Sequence, residues 1–346
     1  MLKSKSRSFF GERWASLLRI PDLYFTFLKQ INWGYTLNCQ PTESGEGNMI
    51  LVTGGSGYLG RPFCQKLALR NEPIISLDLT HRNEAPYKTV TADIRDQKEI
   101  EKVFDQHPID TVVNLAAILE SASSANPLLS FQINVEGTFN LLKLSQEHSV
   151  SRFVFGSSLA SLGNPAIHET PITEDVPPQP TAVYGQTKAF VEKLGIFFSS
   201  LSGCQFIAAR MPIIVGPGQP TETSAWRAEI FHKLSSKGKV QIHYAPDELI
   251  PLAHHTDIAE ALTHLTLAES IGDHIFHLPF ERWRVRELGR TLKEINPQLH
   301  VEYGQRRLNS APVSVSWSKM KEKFGISKPS LKDHLQDYKK KVDNSF

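Results

Sequence analysis

The sequence feature that most constrains the fold is a run of apolar residues that leads directly into closely spaced glycines. Residues Met49–Val52 are all apolar, as is typical of a strand buried on both faces. Thr53–Gly60 follows, with the order Thr-Gly-Gly-Ser-Gly-Tyr-Leu-Gly, and then Phe63 and Leu67 at helical spacing. A strand that turns through glycines into a helix is the arrangement that binds the pyrophosphate of a dinucleotide.

The three spaced glycines have different roles in that arrangement. Gly54 permits the tight turn, Gly57 lets the backbone approach the pyrophosphate, and Gly60 lets the helix pack closely on the strand. The N-terminus of the helix offers free N–H groups and a partial positive charge to the phosphates. We include Tyr58 and Leu59 in the predicted cofactor site. The motif is short, and an ordinary glycine-rich turn is the alternative interpretation.

A carboxylate follows the second predicted strand. Asp78 lies near the end of the apolar run 73–79, 18 residues after Gly60. This spacing is close to the roughly 20 residues expected for the acid that binds the adenosine ribose hydroxyls. Because a carboxylate repels a 2′-phosphate, the sequence predicts NAD rather than NADP as the cofactor, with Arg82 nearby as a feature that would weaken the preference.

Strand and helix patterns alternate along the middle of the chain. The predicted strands are 49–53, 73–79, 87–91, 111–116, 152–157 and 205–210, and the predicted helices are 58–70, 96–106, 127–148 and 181–201. This alternation predicts an α/β fold, a doubly wound (Rossmann) parallel sheet with helices on both faces. We therefore expect an NAD-binding domain at 49–215 and a smaller, mainly substrate-binding C-terminal lobe at 216–346, with late elements returning to the sheet.

Composition excludes several classes of function. Hydrophobic residues make up 40% and charged residues 21% of 346 residues, which is ordinary for a soluble globular protein. A formal charge of +2 predicts no binding to nucleic acid. No apolar run reaches the length of a membrane span. The cysteines, Cys39, Cys64 and Cys204, are far apart and odd in number, which favours a reducing cytoplasm and no metal site.

Residues 1–48 differ from the rest of the chain. They are basic, contain scattered aromatic residues and end in a Gly/Ser-rich stretch that is typical of a linker. One interpretation is an amphipathic arm for a membrane surface, a partner subunit or organelle import. The other, which we favour, is a non-catalytic extension placed before the domain that starts at Met49.

The predicted chemistry lies on the fourth predicted helix and the strand before it. Tyr184 and Lys188 are four residues apart, so their side chains share one helix face. A neighbouring ammonium favours a phenolate, and we expect it to lower the pKa of Tyr184 so that the phenol can exchange a proton with an alcohol or ketone. Ser157 and Ser158 close the preceding strand and offer a hydroxyl to the reacting oxygen. Each feature alone is a weak signal, and the alternative interpretation is a surface pair on a helix and an ordinary turn.

The order of these motifs resembles the extended short-chain dehydrogenase/reductase superfamily, in its NAD-dependent epimerase/dehydratase branch, over roughly 49–340. The resemblance implies that Tyr184 is the acid/base, Lys188 its partner, and Ser158 the more relevant serine. It also implies structural roles for Asn134 and Asp257. The cofactor contacts it implies are Asp93 and Ile94 at adenine, Leu115, Ala116 and Ala117 behind the fourth strand, and Pro212 and Ile213 near the nicotinamide. We also include Tyr184 and Lys188 in the predicted cofactor site, with Lys188 able to bond the nicotinamide ribose.

The segment after the sixth predicted strand bears on the substrate. Nucleotide-sugar epimerases and dehydratases usually carry an Asn and a Tyr there, and Arg210–Gly218 lacks both. This segment and Ala245–Leu252 look more like D-erythronate and L-threonine dehydrogenases. We therefore expect NAD-dependent oxidation of a secondary alcohol on a hydroxy acid or sugar acid, or the reverse reduction. A nucleotide-sugar epimerase or dehydratase, and a non-catalytic NAD-binding sensor, are the alternatives.

Three further expectations concern residues outside this set. The resemblance implies a homodimer paired through the helices at 127–148 and 181–201, with Phe131, Phe139, Leu141 and Leu142 as the apolar area. His254 and His255 are not expected to form a metal pair, because adjacent side chains diverge and no third ligand is evident. Arg227 is either a clamp for a substrate carboxylate or phosphate, or a solvated helix start.

Overall fold

The computed structural model describes residues 48–81, 85–163, 171–219 and 225–344. Nearly all of the predicted extension at 1–48 lies outside these ranges, and so does Arg82. The described ranges belong to one unit of mutually contacting residues, Ser44–Phe346.

The strands of the described ranges form three sheets. They are β1 Met49–Thr53, β2 Ile74–Asp78, β3 Lys88–Thr91, β4 Ile109–Asn114, β5 Arg152–Ser158, β6 Gln205–Met211, β7 Ile213–Val215, β8 Gly238–Tyr244, β9 Leu249–His254, β10 Ile275–His277, β11 Glu281–Arg284 and β12 Leu299–Arg306. The central sheet has the order β10-β6-β5-β4-β1-β2-β3, and all of its neighbouring strands are parallel. A second sheet has the order β11-β9-β7, and β12 pairs with β8.

Helices cover both faces of the central sheet. They are α1 Gly60–Leu69, α2 Gln97–Gln106, α3 Glu120–Ala125, α4 Pro127–Phe131, α5 Thr138–Glu147, α6 Val183–Ser202, α7 Trp226–His232, α8 His255–Leu267, α9 Val285–Ile295, α10 Ser318–Phe324 and α11 Leu331–Asp343. A π-helical turn at Gln132–Gly137 joins α4 to α5, and a 3₁₀ turn at Leu159–Leu162 follows β5.

The alternation of side chains along β1 shows why both faces are covered. Leu51 packs into one hydrophobic core with Leu141, whereas Ile50 and Val52 pack into the other with Phe63. Because successive side chains of a strand point to opposite faces, a continuous apolar strand requires a helix layer on each side. The strand order and the parallel pairing confirm the predicted doubly wound fold.

The predicted helix at 127–148 is confirmed as one uninterrupted helical run over 127–147, which contains a π turn at Gln132–Gly137. Asn126 accepts a hydrogen bond from the Leu129 N–H at 3.0 Å and begins α4 at Pro127, and the π turn then continues α4 into α5. Proline is favoured in the first turn of a helix, so the chain restarts there. The fourth strand ends at Asn114 rather than 116, which leaves Leu115 in the loop after the strand.

The predicted apolar area for dimerisation is wrong in part. Leu141 and Leu142 are buried inside the described chain, so they offer no surface to a second copy. The large apolar side chains exposed on α4 and α6 are Leu128, at 68% exposure, Phe131 at 46%, Leu201 at 46% and Phe190 at 38%. Across the described ranges, no helix combines the length and the apolar character that crossing a membrane requires.

Candidate active site

The turn between β1 and α1 can be formed only with glycine at two positions. Gly54 has φ of +70°, and a Cβ there would lie 2.7 Å from the backbone nitrogen of Ala116. A Cβ on Gly60 would overlap the carbonyl oxygen of Gly54. The backbone N–H of Gly54 donates to the carbonyl of Leu77 at 2.8 Å. The turn therefore packs directly against the loop after β4 and leaves an open backbone surface at the carboxyl edge of the sheet.

Asp78 lies across this turn from the glycines. Its Oδ2 accepts from the Ser56 N–H at 3.0 Å, and its Oδ1 accepts from the Leu79 N–H at 2.8 Å. The half-buried residues Leu115, Ala116 and Ala117 follow β4 on the neighbouring side. A glycine turn opening a helix, with a carboxylate at the end of the next strand, fits the pyrophosphate and ribose of NAD.

The two predicted adenine contacts have different surroundings. The Asp93 carboxylate accepts from Arg95 at 2.6 Å, and this hydrogen bond holds the pKa of Asp93 below its ordinary value. The Ile94 side chain is buried and lies where a Cβ on Gly137 would meet it at 2.7 Å. The Asp93 side chain is thus half-buried and that of Ile94 buried, and both stay predicted adenine contacts.

Tyr184, Ser158 and Lys188 converge at the carboxyl edge of β5. Tyr184 lies in the first turn of α6, and the Ser158 hydroxyl, which accepts from the Ala160 N–H at 3.1 Å, is close enough to the phenol to lower its pKa. Lys188 Nζ lies 5.6 Å from the centre of the Tyr184 ring and donates to the Gly156 carbonyl at 2.7 Å. The three residues predicted from the sequence are thus brought together.

The electrostatics of this group differ from the prediction. Burial raises the pKa of Tyr184 to about 12, although the hydrogen bond from Ser158 and the charge of Arg227 act to lower it. Burial also lowers the pKa of Lys188 to about 7, against the opposing charge of Glu192. The expected lowering of the Tyr184 pKa by Lys188 is wrong for this structure, because desolvation outweighs the nearby charges.

A buried ion pair below these residues was missed from the sequence. Glu192 accepts from Arg210 at 2.9 and 2.7 Å, and both side chains are about 2% exposed. Ser157 donates to the same carboxylate, so it is directed away from Tyr184 and Ser158 is the serine at the site. The pair joins α6 to β6. In the sequence, the four-residue spacing of Glu192 from Lys188 was the signal that could have placed Glu192 on the same helix face as the catalytic residues.

Other residues singled out from the sequence border the same edge. Asn134 Nδ2 donates to Thr187 Oγ1 at 3.2 Å, and its Oδ1 accepts from the Ile118 N–H at 3.0 Å, so it braces α6 as the resemblance implied. Ser158 pairs with Met211 across β5 and β6. The buried Pro212 and the half-buried Ile213 come next in the chain, beside Ser158.

The hydroxyl of Tyr58, in the glycine turn, contacts the backbone after β7 and the first turn of α7. It donates to the carbonyl oxygens of Gly216 and Arg227, the latter at 3.3 Å. Leu59 precedes α1 and packs, half-buried, against the core. Tyr58 therefore links the start of α1 to α7, which carries Arg227.

The adjacent histidines pack as aromatic rings. The rings of His254 and His255 lie 4.3 Å apart, and His254 also stacks on His334 at 4.0 Å. His334 contacts the carboxylate of Asp257 at 2.8 Å. Within the part of the chain that the structure describes, no three His, Cys, Asp or Glu side chains are arranged to hold a metal ion.

Comparison with known proteins finds a protein family whose sequence model matches most of this chain. The model of the NAD-dependent epimerase/dehydratase family matches residues 50–276. UDP-glucose 4-epimerase of Halalkalibacterium halodurans is 38% identical over 166 residues, which are 46% of this chain and 49% of that protein. The chain thus spans about half the length of that relative.

Two further matches cover most of the chain. Mitochondrial L-threonine 3-dehydrogenase of Bos taurus is 25% identical over 312 residues, 86% of this chain and 83% of that protein. The solved structure of L-threonine dehydrogenase from Phytophthora infestans has a TM-score of 0.79 at 22% identity, covering 86% of this chain and 100% of that one. These findings confirm the family and the fold predicted from the motifs.

Proposed function

The chain belongs to the NAD-dependent epimerase/dehydratase family, and from that membership we propose that it is an NAD-dependent oxidoreductase acting on a small hydroxy acid or sugar acid. It interconverts a secondary alcohol and a ketone. The observation that carries the proposal is the convergence of Tyr184, Ser158 and Lys188 at the edge where the glycine turn opens.

Each group has a defined task in this proposal. NAD, when bound, supplies the hydride acceptor, and its reduced form the hydride donor. The backbone at Gly54 and Gly57 holds the pyrophosphate, and Asp78 holds the ribose. Ser158 positions the reacting oxygen, and Tyr184 exchanges the proton with it.

The direction of proton transfer follows from the charges around Tyr184. With a pKa of about 12, the phenol carries its proton at neutral pH and can donate it to a ketone oxygen. In the oxidative direction, nearby positive charge must stabilise the phenolate. Lys188, with a pKa of about 7, supplies that charge most fully below neutral pH. Arg227 supplies it at all working pH values, because a guanidinium stays protonated.

Two observations favour a dehydrogenase over an epimerase. The match to the threonine dehydrogenase spans 86% of the chain, whereas the match to the epimerase spans 46%. The segment Arg210–Gly218 also lacks the Asn and Tyr expected near a sugar nucleotide. A nucleotide-sugar epimerase is the second candidate, supported by the 38% identity over 166 residues.

The test uses the full chain with NAD. We would follow NADH absorbance with hydroxy acids, threonine, sugar acids and UDP-glucose, and measure epimerisation of UDP-glucose in parallel. NADH formation with an acid supports the proposal. Epimerisation alone would favour the second candidate, and NAD binding with no turnover would favour a non-catalytic sensor.

We also propose that the enzyme is a cytoplasmic homodimer. The buried, unpaired thiols of Cys64 and Cys204 are compatible with a reducing compartment. The exposed apolar side chains of Leu128, Phe131 and Phe190 on α4 and α6 supply the area for pairing. Light scattering at the mass of one chain would contradict the dimer.

A further inference from the structure

The Tyr58 hydroxyl joins the glycine turn to two other segments of the described chain. It donates to the carbonyl oxygen of Gly216, and it lies 3.3 Å from the carbonyl oxygen of Arg227. The Gly216 N–H donates to the same Arg227 carbonyl at 3.3 Å. Because burial raises the pKa of Tyr58, the hydroxyl keeps its proton and remains a donor. Tyr58 therefore holds the residues after β7 and the first turn of α7 against the glycine turn.

The packing around the Tyr58 ring is close. The ring lies edge-on to that of His255, with 6.0 Å between the ring centres. A Cβ on Gly218 would lie 3.3 Å from the Tyr58 ring, and a Cβ on Gly216 would overlap the His255 ring. The hydroxyl and the ring of Tyr58 thus both face the short segment 216–218.

The stretch that leads into this segment begins at the reacting groups. Met211 pairs with Ser158 across β6 and β5. The chain then leaves the central sheet, and β7 pairs with β9 of the second sheet. β7 ends directly before Gly216, whose carbonyl oxygen accepts from Tyr58. The stretch 211–216 therefore runs from Ser158 at one end to a side chain of the glycine turn at the other.

The proposed reaction requires the cofactor to span the same two points. The proton and the hydride leave one carbinol, the proton from its oxygen and the hydride from its carbon. The nicotinamide must therefore lie beside the carbinol that Tyr184 and Ser158 contact, while the pyrophosphate lies at the glycine turn. The nicotinamide half of NAD thus has the same end points as the stretch 211–216.

We propose that Tyr58 is a positioning residue, whose hydroxyl fixes the stretch 211–216 against the glycine turn so that the nicotinamide half of NAD lies at Tyr184. This inference rests on the proposed function and adds a residue to it. The pyrophosphate is bound by the backbone of the turn, which does not use the Tyr58 hydroxyl. Loss of this hydroxyl should therefore disturb the nicotinamide half of the cofactor and leave the adenosine half in place.

The experiment compares two ligands that share the adenosine half. We would measure the dissociation constants of NADH and of ADP-ribose, which lacks the nicotinamide, in the full-length wild type and in Tyr58→Phe. The phenylalanine keeps the ring that packs on His255. The net contribution of a hydrogen bond predicts that NADH binds about tenfold more weakly to the variant, while ADP-ribose binding changes by less than about twofold. Because a dissociation constant does not depend on the fraction of folded protein, partial misfolding of the variant cannot produce this difference.

The matched control is Tyr338→Phe. The Tyr338 ring packs edge-on against Phe231 of α7, with 5.7 Å between the ring centres. This variant also removes a hydroxyl from a ring beside α7, but the ring belongs to α11 and not to the glycine turn. Both dissociation constants should keep their wild-type values. Equal weakening of the two ligands in Tyr58→Phe, or weakening of neither, would overturn the inference and leave the proposed oxidoreductase intact.

Hydrogen exchange gives a second readout that does not require turnover. In the wild type, saturating NADH should slow amide exchange in peptides that cover 211–218 more than saturating ADP-ribose does, and this difference should be lost in Tyr58→Phe. An equal effect of the two ligands in the wild type would refute the inference. NADH binding without oxidation of any alcohol would refute only the proposed function, and the binding comparison would then decide the role of Tyr58. A wild type that binds neither ligand would refute both.

Discussion

Replacing Glu192 by glutamine tests whether the buried ion pair holds the catalytic elements together. The carboxylate accepts from Ser157, from Ser161 and twice from Arg210, and all of these groups are buried. Glutamine keeps the shape but leaves the Arg210 charge uncompensated. Removing one partner of a buried ion pair costs about 3–5 kcal/mol. We expect the lower end of this range, about 3 kcal/mol, because the glutamine oxygen still accepts hydrogen bonds.

Urea denaturation followed by fluorescence measures this loss. The matched control is Glu302→Gln, which breaks an exposed ion pair with Lys239 and should cost less than about 1 kcal/mol. The double variant Glu192→Gln/Arg210→Met removes both charges and should recover part of the loss. If Glu192→Gln costs no more than Glu302→Gln, the reasoning about the buried pair is wrong.

Three further predictions follow from the same geometry. Gly54→Ala should weaken NAD binding at least tenfold, measured by calorimetry, because the new Cβ would lie 2.7 Å from the Ala116 nitrogen. The control is Gly203→Ala, which has a similar φ but no atom within 4 Å of the new Cβ, and it should leave NAD binding unchanged. An Asp78→Ala variant should lower the preference for NAD over NADP about tenfold in kcat/KM, and an unchanged preference would contradict the ribose contact. The pKa of Lys188 is about 7 in the folded protein and about 10.4 in the unfolded chain. Between these two pH values the unfolded chain binds more protons than the folded protein, so raising the pH favours folding. The free energy of unfolding of the wild type, relative to that of Lys188→Met, should therefore increase with pH. Urea midpoints at pH 7 and pH 9.5 test this, and a gain that shrinks with pH would refute it.

The central sheet could be predicted because its signals are local. The apolar run Met49–Val52 reports burial on both faces, and the glycines that follow report a turn that no other residue can form. The helix layer at 120–147 could not be predicted in detail. Glu120–Ala125 has no apolar periodicity, and the π turn at Gln132–Gly137 lies inside the predicted helix, where no sequence pattern reports it.

Within the site, the sequence predicted which residues come together but not the direction of their pKa shifts. Tyr184 and Lys188 follow from a four-residue spacing, whereas the sign of the Tyr184 pKa shift depends on burial that only the packed structure shows. The partnership of Glu192 with Arg210 joins a helix to a strand 18 residues later, and the sequence offered only the four-residue spacing of Glu192 from Lys188 as a signal.

The central claim is that the Tyr184 hydroxyl transfers the proton while NAD is held independently. The most direct test measures kcat and the NAD dissociation constant of the full-length Tyr184→Phe variant and of the wild type. The kinetics use a substrate that the wild type oxidises. The account predicts that kcat falls by about 10²–10⁴, as expected for the loss of a general acid/base, with the NAD dissociation constant nearly unchanged. A variant that keeps wild-type kcat would contradict it.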